Sequence, residues 1–344
     1  MENLSLENFI KGIPKAELHL HIEGTFEPEL MFEIAERNNT KIDYSSVEEL
    51  KSAYNFNNLQ EFLNIYYTGA KVLQKEEDFY DLTWAYFLKA KEDNIIHTEI
   101  MFDPQTHTER GIPFDVVING ISKAQEKAKL ELGITSKLIM SFLRHLDQNS
   151  AFEVYKNYEK HKEKIDAVGL DSSEVGNPPI LFSQIFSKAK NDGLKITVHA
   201  GEEGPPEYVW QALDILNVHR IDHGNRSLED VNLINRIAQQ QIALTVCPLS
   251  NLKLKVVRDL KEHPLKKMLD LGIKVTVNSD DPAYFGGYIN ENFLATAKAI
   301  NLTKEDIYKL IKNSFDASFV CDSHKKQMFE RLEKYYSKTN FIYK

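Results

Sequence analysis

Cysteine is nearly absent: Cys247 and Cys321 are the only two in 344 residues. Two thiols so far apart in sequence build neither a disulfide scaffold nor a Cys-rich zinc site, and a reducing cytoplasm is the expected location. Long apolar runs are missing as well. No uncharged stretch approaches the ~20 residues that cross a bilayer, and the opening MENLSLENFIKGIPK interrupts its apolar residues with charges and Asn, so it reads as neither signal nor anchor. Positive charge is in deficit, 42 Lys and Arg against 51 Asp and Glu, for a formal charge of −9 and a pI near 5.7. Neutralising phosphates requires a basic surface, so a long nucleic-acid footprint is excluded and a small-molecule partner is left, with no membrane and no nucleic acid.

What is present is ordinary globular material, 42% hydrophobic and 27% charged. Barrels of alternating strand and helix fill such a length as one unit, so a single domain over residues 1–344 is expected. Short apolar runs predict strands at Ala16–Ile22, Ile95–Phe102, Lys137–Leu143, Ala167–Leu170, Lys195–His199, Arg220–His223, Ala243–Cys247 and Lys274–Asn278. Amphipathic stretches separate most of them: Phe79–Asp93, Val116–Leu132, Leu181–Asp192, Val231–Gln240 and Leu265–Leu271. That rhythm predicts a closed parallel (β/α)8 TIM barrel. The excursion from Pro28 to Asn94 is too long for one crossover helix and is expected to add helices near the barrel mouth. After Asp281, helical patterns follow around Glu291–Ile300 and Lys304–Asn313, then a charged tail.

The unusual residues fall at strand C-terminal ends, the face where barrel enzymes keep their chemistry. In His19-Leu20-His21 two imidazoles on one strand point to the same side and can chelate one ion. Alone, His-x-His is a weak signal and ordinary polar packing is the commoner explanation. With His199 closing the fifth strand and Asp280 following the eighth, three imidazoles and a carboxylate make a set suited to Zn²⁺, which can lower the pKa of bound water to about 7. A two-metal site usually needs a bridging ligand, often a modified lysine, after the fourth strand; Gly169-Leu170-Asp171-Ser172-Ser173 offers no lysine, so one zinc per chain is expected. His223 is then free to orient the water or accept its proton, the competing readings being a second ligand or a structural histidine. His97-Thr98-Glu99 matches half of a different deaminase signature whose Pro-Cys-x-x-Cys half is missing, and reads as ordinary strand sequence.

Five segments together carry a resemblance: PKAELHLHIEGT at 14–25, VHAGEEGPPEYVWQAL at 198–213, RIDHGNR at 220–226, LTVCPLSN at 244–251 and VNSDDPAYFGGY at 277–288. The chain resembles the adenosine/AMP deaminase family of metal-dependent hydrolases nearly end to end, and its GEEGPPEY and SDDPAYFGGY wording resembles the adenine-deaminating branch of bacteria and fungi. The resemblance implies His19, His21, His199 and Asp280 as zinc ligands, Glu202 as proton donor to ring N1, His223 orienting and deprotonating the zinc water, and Asp281 bonding the purine at N7. It further implies hydrolysis of adenine to hypoxanthine and ammonia in purine salvage. For Glu202 that role requires a carboxyl kept neutral by burial, whereas a Glu taken alone is more often solvated, as suits Glu203.

Two departures from the nucleoside-deaminating pattern point toward a free base. Glu23 stands where those enzymes typically place an Asp on the sugar, and its extra methylene is expected to push the carboxylate into the ribose space. Leu170-Asp171-Ser172-Ser173-Glu174-Val175-Gly176 replaces a Gly-Asp-Glu type segment. One altered contact is worth only ~1–3 kcal/mol of discrimination, so adenosine and N6-substituted adenines stay as alternative substrates. A purine-binding pseudoenzyme would be expected to lose a ligand or the acid, and none is lost. Asp281 is either neutral against the usual tautomer or ionised against an N7–H tautomer. Tyr284, Phe285 and Tyr288 are expected to fill the barrel rim outside the site. Arg220 and Arg226, flanking the sixth strand end, are too few for a phosphate cluster.

Overall fold

The computed structural model describes residues 4–340. Eight strands run in chain order, β1 Lys15–His21, β2 Ile95–Phe102, β3 Thr135–Leu143, β4 Ala167–Asp171, β5 Lys195–Ala200, β6 Arg220–His223, β7 Ala243–Val246 and β8 Lys274–Val277. Each pairs in parallel with the next. The last returns to the first: Leu20 bridges Asp280, the His21 N–H donates to the Asp280 carbonyl at 3.0 Å and the Asp280 N–H to that of His19 at 3.2 Å. Strands buried on both faces read as short, nearly continuous apolar runs, which is why all eight were visible in the sequence. Within β1 the register shifts between Glu17↔Thr98 and Leu20↔Ile100, three residue steps facing two, a bulge that contains His19.

The mouth is roofed by the long β1–β2 excursion, whose helices are Pro28–Arg37, Val47–Ala53, Leu59–Ala70 and Glu76–Glu92. Ser46 and Asn58 cap the second and third by accepting from the Glu49 and Glu61 N–H groups. The charged tail is corrected: Asp322–Asn340 is a helix, held by Met328 and Leu332, which are buried. At the opposite end of the barrel Arg220 is sealed from solvent, bonding Glu99 at 2.6 Å and the Leu18 carbonyl at 3.0 Å under the Phe319 ring. Arg220 therefore opens β6 far from the mouth rather than flanking its end, and His97 and Glu99 are strand residues of that same far end. Among the described residues no helix is long and apolar enough to cross a membrane.

Candidate active site

The bulge and the two-residue period of β1 bring the His19 and His21 rings to 5.4 Å between centroids. His199 at the end of β5 reaches both, 4.7 Å from His19 and 5.2 Å from His21, with the Nε2 atoms of His21 and His199 3.2 Å apart. Asp280 Oδ1 lies 3.2 Å from His19 Nε2 and 3.6 Å from His21 Nε2. One donor atom from each of the four falls within 4.8 Å of the others, all buried. His19 Nε2 has no hydrogen-bond partner in the protein. A cation at the centre gives these converging lone pairs a partner, and three imidazoles with one carboxylate fit zinc. The ring backs are held as ligand histidines require: His19 Nδ1 meets Thr245 Oγ1 at 2.9 Å, Thr245 donates to Asp222 at 2.8 Å, and His21 Nδ1 faces Asp171 at 3.5 Å.

Glu202, His223 and Asp281 surround that cluster. His223 Nε2 is 3.6 Å from Glu202 Oε2 and 3.7 Å from Asp280 Oδ2; it is not one of those four residues but converges with Cys247 on Asp280 in a second, three-residue group. Burial, reinforced by the charges of Asp280, Glu203 and Glu174, pushes the Glu202 carboxyl well above its ordinary range, and burial with Asp280 beside it does the same to Asp281. Burial drives His223 down to about 3 and His199 well below its usual value. Burial alone would raise Asp280, but the adjacent His19 imidazole outweighs it and draws the carboxyl well below its ordinary range. Asp281 packs so closely on Gly24 that a Cβ there would collide with its carboxylate and its Cα. Glu203 is only half-buried and does not line the cavity.

Several side chains around the cavity were not singled out from the sequence. Glu174 accepts four consecutive backbone N–H groups, Gly201 at 2.7 Å on one oxygen and Glu202, Glu203 and Gly204 at 3.1, 2.8 and 2.8 Å on the other, so the loop bearing Glu202 is wrapped around one carboxylate. The cavity, about 400 Å³ with its mouth, is roofed by Leu59, Phe62, Leu63, Tyr66 and Tyr67 from the excursion. Phe285 also lines it, which corrects its exclusion from the site; Tyr284 packs against Tyr54 with the rings tilted by 33°, and Tyr288 bonds Glu27. Asp103 and Asp171 form the remaining polar wall with Ser172. Three non-glycine residues at this face, Ser172, His223 and Asp280, have φ of +72°, +64° and +67°. Such left-handed backbone costs energy and marks functional sites. Glu23 is a second correction: its carboxylate bonds His107 at 2.8 Å and the Asp103 N–H at 3.2 Å and is absent from the cavity wall, so the extra methylene reaches away from the ligand. Arg226 is bound to Glu229 and the Glu203 carbonyl.

An eight-stranded parallel barrel with this His3Asp cluster, acid and imidazole at the C-terminal face defines a hydrolase of the amidohydrolase kind. The chain belongs to the adenosine deaminase family, whose profile matches residues 14–335. It is 58% identical to the adenine deaminase of Acinetobacter baylyi over 96% of this chain and 99% of that one, and 55% identical to the adenine deaminase of Hahella chejuensis over the same shares. Its fold matches the crystal structure of an adenine deaminase from Arthrobacter aurescens with a TM-score of 0.93 at 44% identity, covering 95% of this chain and all of that one.

Proposed function

We propose that this enzyme hydrolyses adenine to hypoxanthine and ammonia with one zinc ion held by His19, His21, His199 and Asp280. The observation that carries the reading is the gathering of His19, His21, His199 and Asp280 with a buried carboxyl pushed toward its neutral form and a buried imidazole around one cavity, in a chain 58% identical to an adenine deaminase. Zinc bound there supplies a Lewis acid that brings the pKa of water to about 7. Glu202, kept protonated by burial, donates to N1 and makes C6 electrophilic. His223, neutral and facing Glu202, accepts the proton of the attacking water and passes it to the amino group, which leaves as ammonia when the C6–N6 bond breaks, while the added oxygen's remaining proton restores Glu202. Asp281, also pushed toward its neutral form, donates to N7, which favours the usual N9–H tautomer of adenine. The apolar roof excludes bulk water.

Purine salvage in the cytoplasm, by a single-domain enzyme over residues 1–344, goes with this reading. The test is ammonia release from adenine by chelator-stripped protein before and after zinc is returned. Activity is expected to vanish and to recover fully at about one zinc per chain. Full activity in protein stripped of metal would overturn the proposal.

A further inference from the structure

The proposed chemistry uses the N1, C6 and N7 positions of the purine and leaves its N3–N9 edge without a partner. Glu202 follows β5, His223 ends β6 and Asp281 follows β8, so a ring with C6 at the ligand cluster turns its opposite edge toward the arc from β2 to β4. Two carboxylates stand on that arc. Asp103 follows β2 and Asp171 ends β4; both line the cavity and are 3% and 2% exposed. Asp103 Oδ2 accepts from the Tyr66 hydroxyl at 3.1 Å, while its Oδ1, buried, has no partner. Asp171 interacts with the Asp103 carboxyl and faces His21 Nδ1 at 3.5 Å, with no N–H or O–H of the described residues in full hydrogen-bond geometry to either oxygen. Buried acceptors without a protein donor are costly, and a ligand N–H reaching this wall would satisfy one.

We propose that Asp103 is the residue that recognises a free purine base, its Oδ1 accepting the N9–H, with Asp171 beside it closing that edge against any N9 substituent. This rests on the adenine reading above and deepens it. N7 and N9 flank one carbon of the five-membered ring, so the group on N9 must neighbour the group on N7; the charge of Asp103 is felt by Asp281. Either protonation state of Asp103 keeps an acceptor lone pair, so recognition does not hinge on its ionisation. A nucleoside has no N–H to offer there and sets a sugar carbon against a buried oxygen, which a site built to bond a donor rejects strongly.

The test compares kcat/KM for adenine and 9-methyladenine in the zinc-loaded wild type, Asp103→Ala and Asp103→Asn, with zinc content measured for each. The wild type is expected to favour adenine by about 100-fold or more. Asp103→Ala is expected to lose about 30-fold or more on adenine while 9-methyladenine changes by less than about threefold or improves, and Asp103→Asn, which keeps an acceptor and the size, to fall between. Equal loss on both substrates with zinc retained would reduce Asp103 to a structural role. Two zinc ions per wild-type chain would make His21, Asp103 and Asp171 a metal site, since their donor atoms also lie within 4.8 Å of one another, and would overturn the proposal. Wild-type turnover of 9-methyladenine equal to that of adenine would overturn it without any variant. No ammonia from adenine in zinc-loaded wild type would instead sink the underlying reading.

Discussion

Removing one oxygen from Glu174 probes how the acid is aimed without touching metal or substrate. Its carboxylate gathers the N–H groups of residues 201–204, three on one oxygen and one on the other. A hydrogen bond to a charged group is worth ~1.5–3 kcal/mol, and four sharing one carboxylate are not additive. Glu174→Gln keeps the length but removes the charge and aims an NH2 at backbone N–H groups, so ~3 kcal/mol of loop positioning is lost. If all of it falls on the pose of Glu202, kcat/KM for adenine drops about 100-fold. Zinc content stays unchanged, because His199 is held separately by its strand and by the Arg144 bond to its carbonyl at 2.6 Å. The assay is steady-state ammonia release with metal analysis and a melting curve on the same preparation. A drop within about threefold, or a loss that tracks zinc, would refute the idea that this carboxylate aims the acid.

Glu202→Gln keeps the shape but holds no transferable proton, so turnover should fall by ~10³-fold or more with zinc near one per chain; retained activity removes its assignment. Stability should carry a separate pH signature from Glu17, which burial pushes up from 4.5 to about 7 although Ser279 and Tyr86 bond it. Between those values the folded chain holds a proton that the unfolded chain has released, so stability falls as pH rises through the window, by up to ~3 kcal/mol. Denaturant midpoints at pH 5 and pH 7.5 should therefore differ less in Glu17→Gln than in wild type, and an equal pH slope in both would contradict the assignment.

Much of the barrel was legible because its strands are short, apolar and separated by helix-length segments; the largest boundary difference is two residues, at the start of β3. The His19, His21, His199 and Asp280 cluster was legible because His-x-His on a strand fixes direction and because strand ends converge. Residues contributed by the roof were not. Leu59, Phe62 and Tyr66 on an amphipathic helix look like any packing face, and only tertiary folding turns them to the cavity. Glu174 and Asp103 look like surface carboxylates by composition, and what distinguishes them is burial. The left-handed backbone at Ser172, His223 and Asp280 has no glycine to announce it. The Asp322–Asn340 helix hid in its charge, since a narrow stripe around Met328 and Leu332 is all that it buries deeply.

The most direct measurement of the central claim is kcat/KM for ammonia release from adenine and from adenosine, side by side, in zinc-loaded protein. A preference for adenine of about 100-fold or more is the predicted result. Equal or better turnover of adenosine would leave the zinc chemistry standing and contradict the account of the pocket.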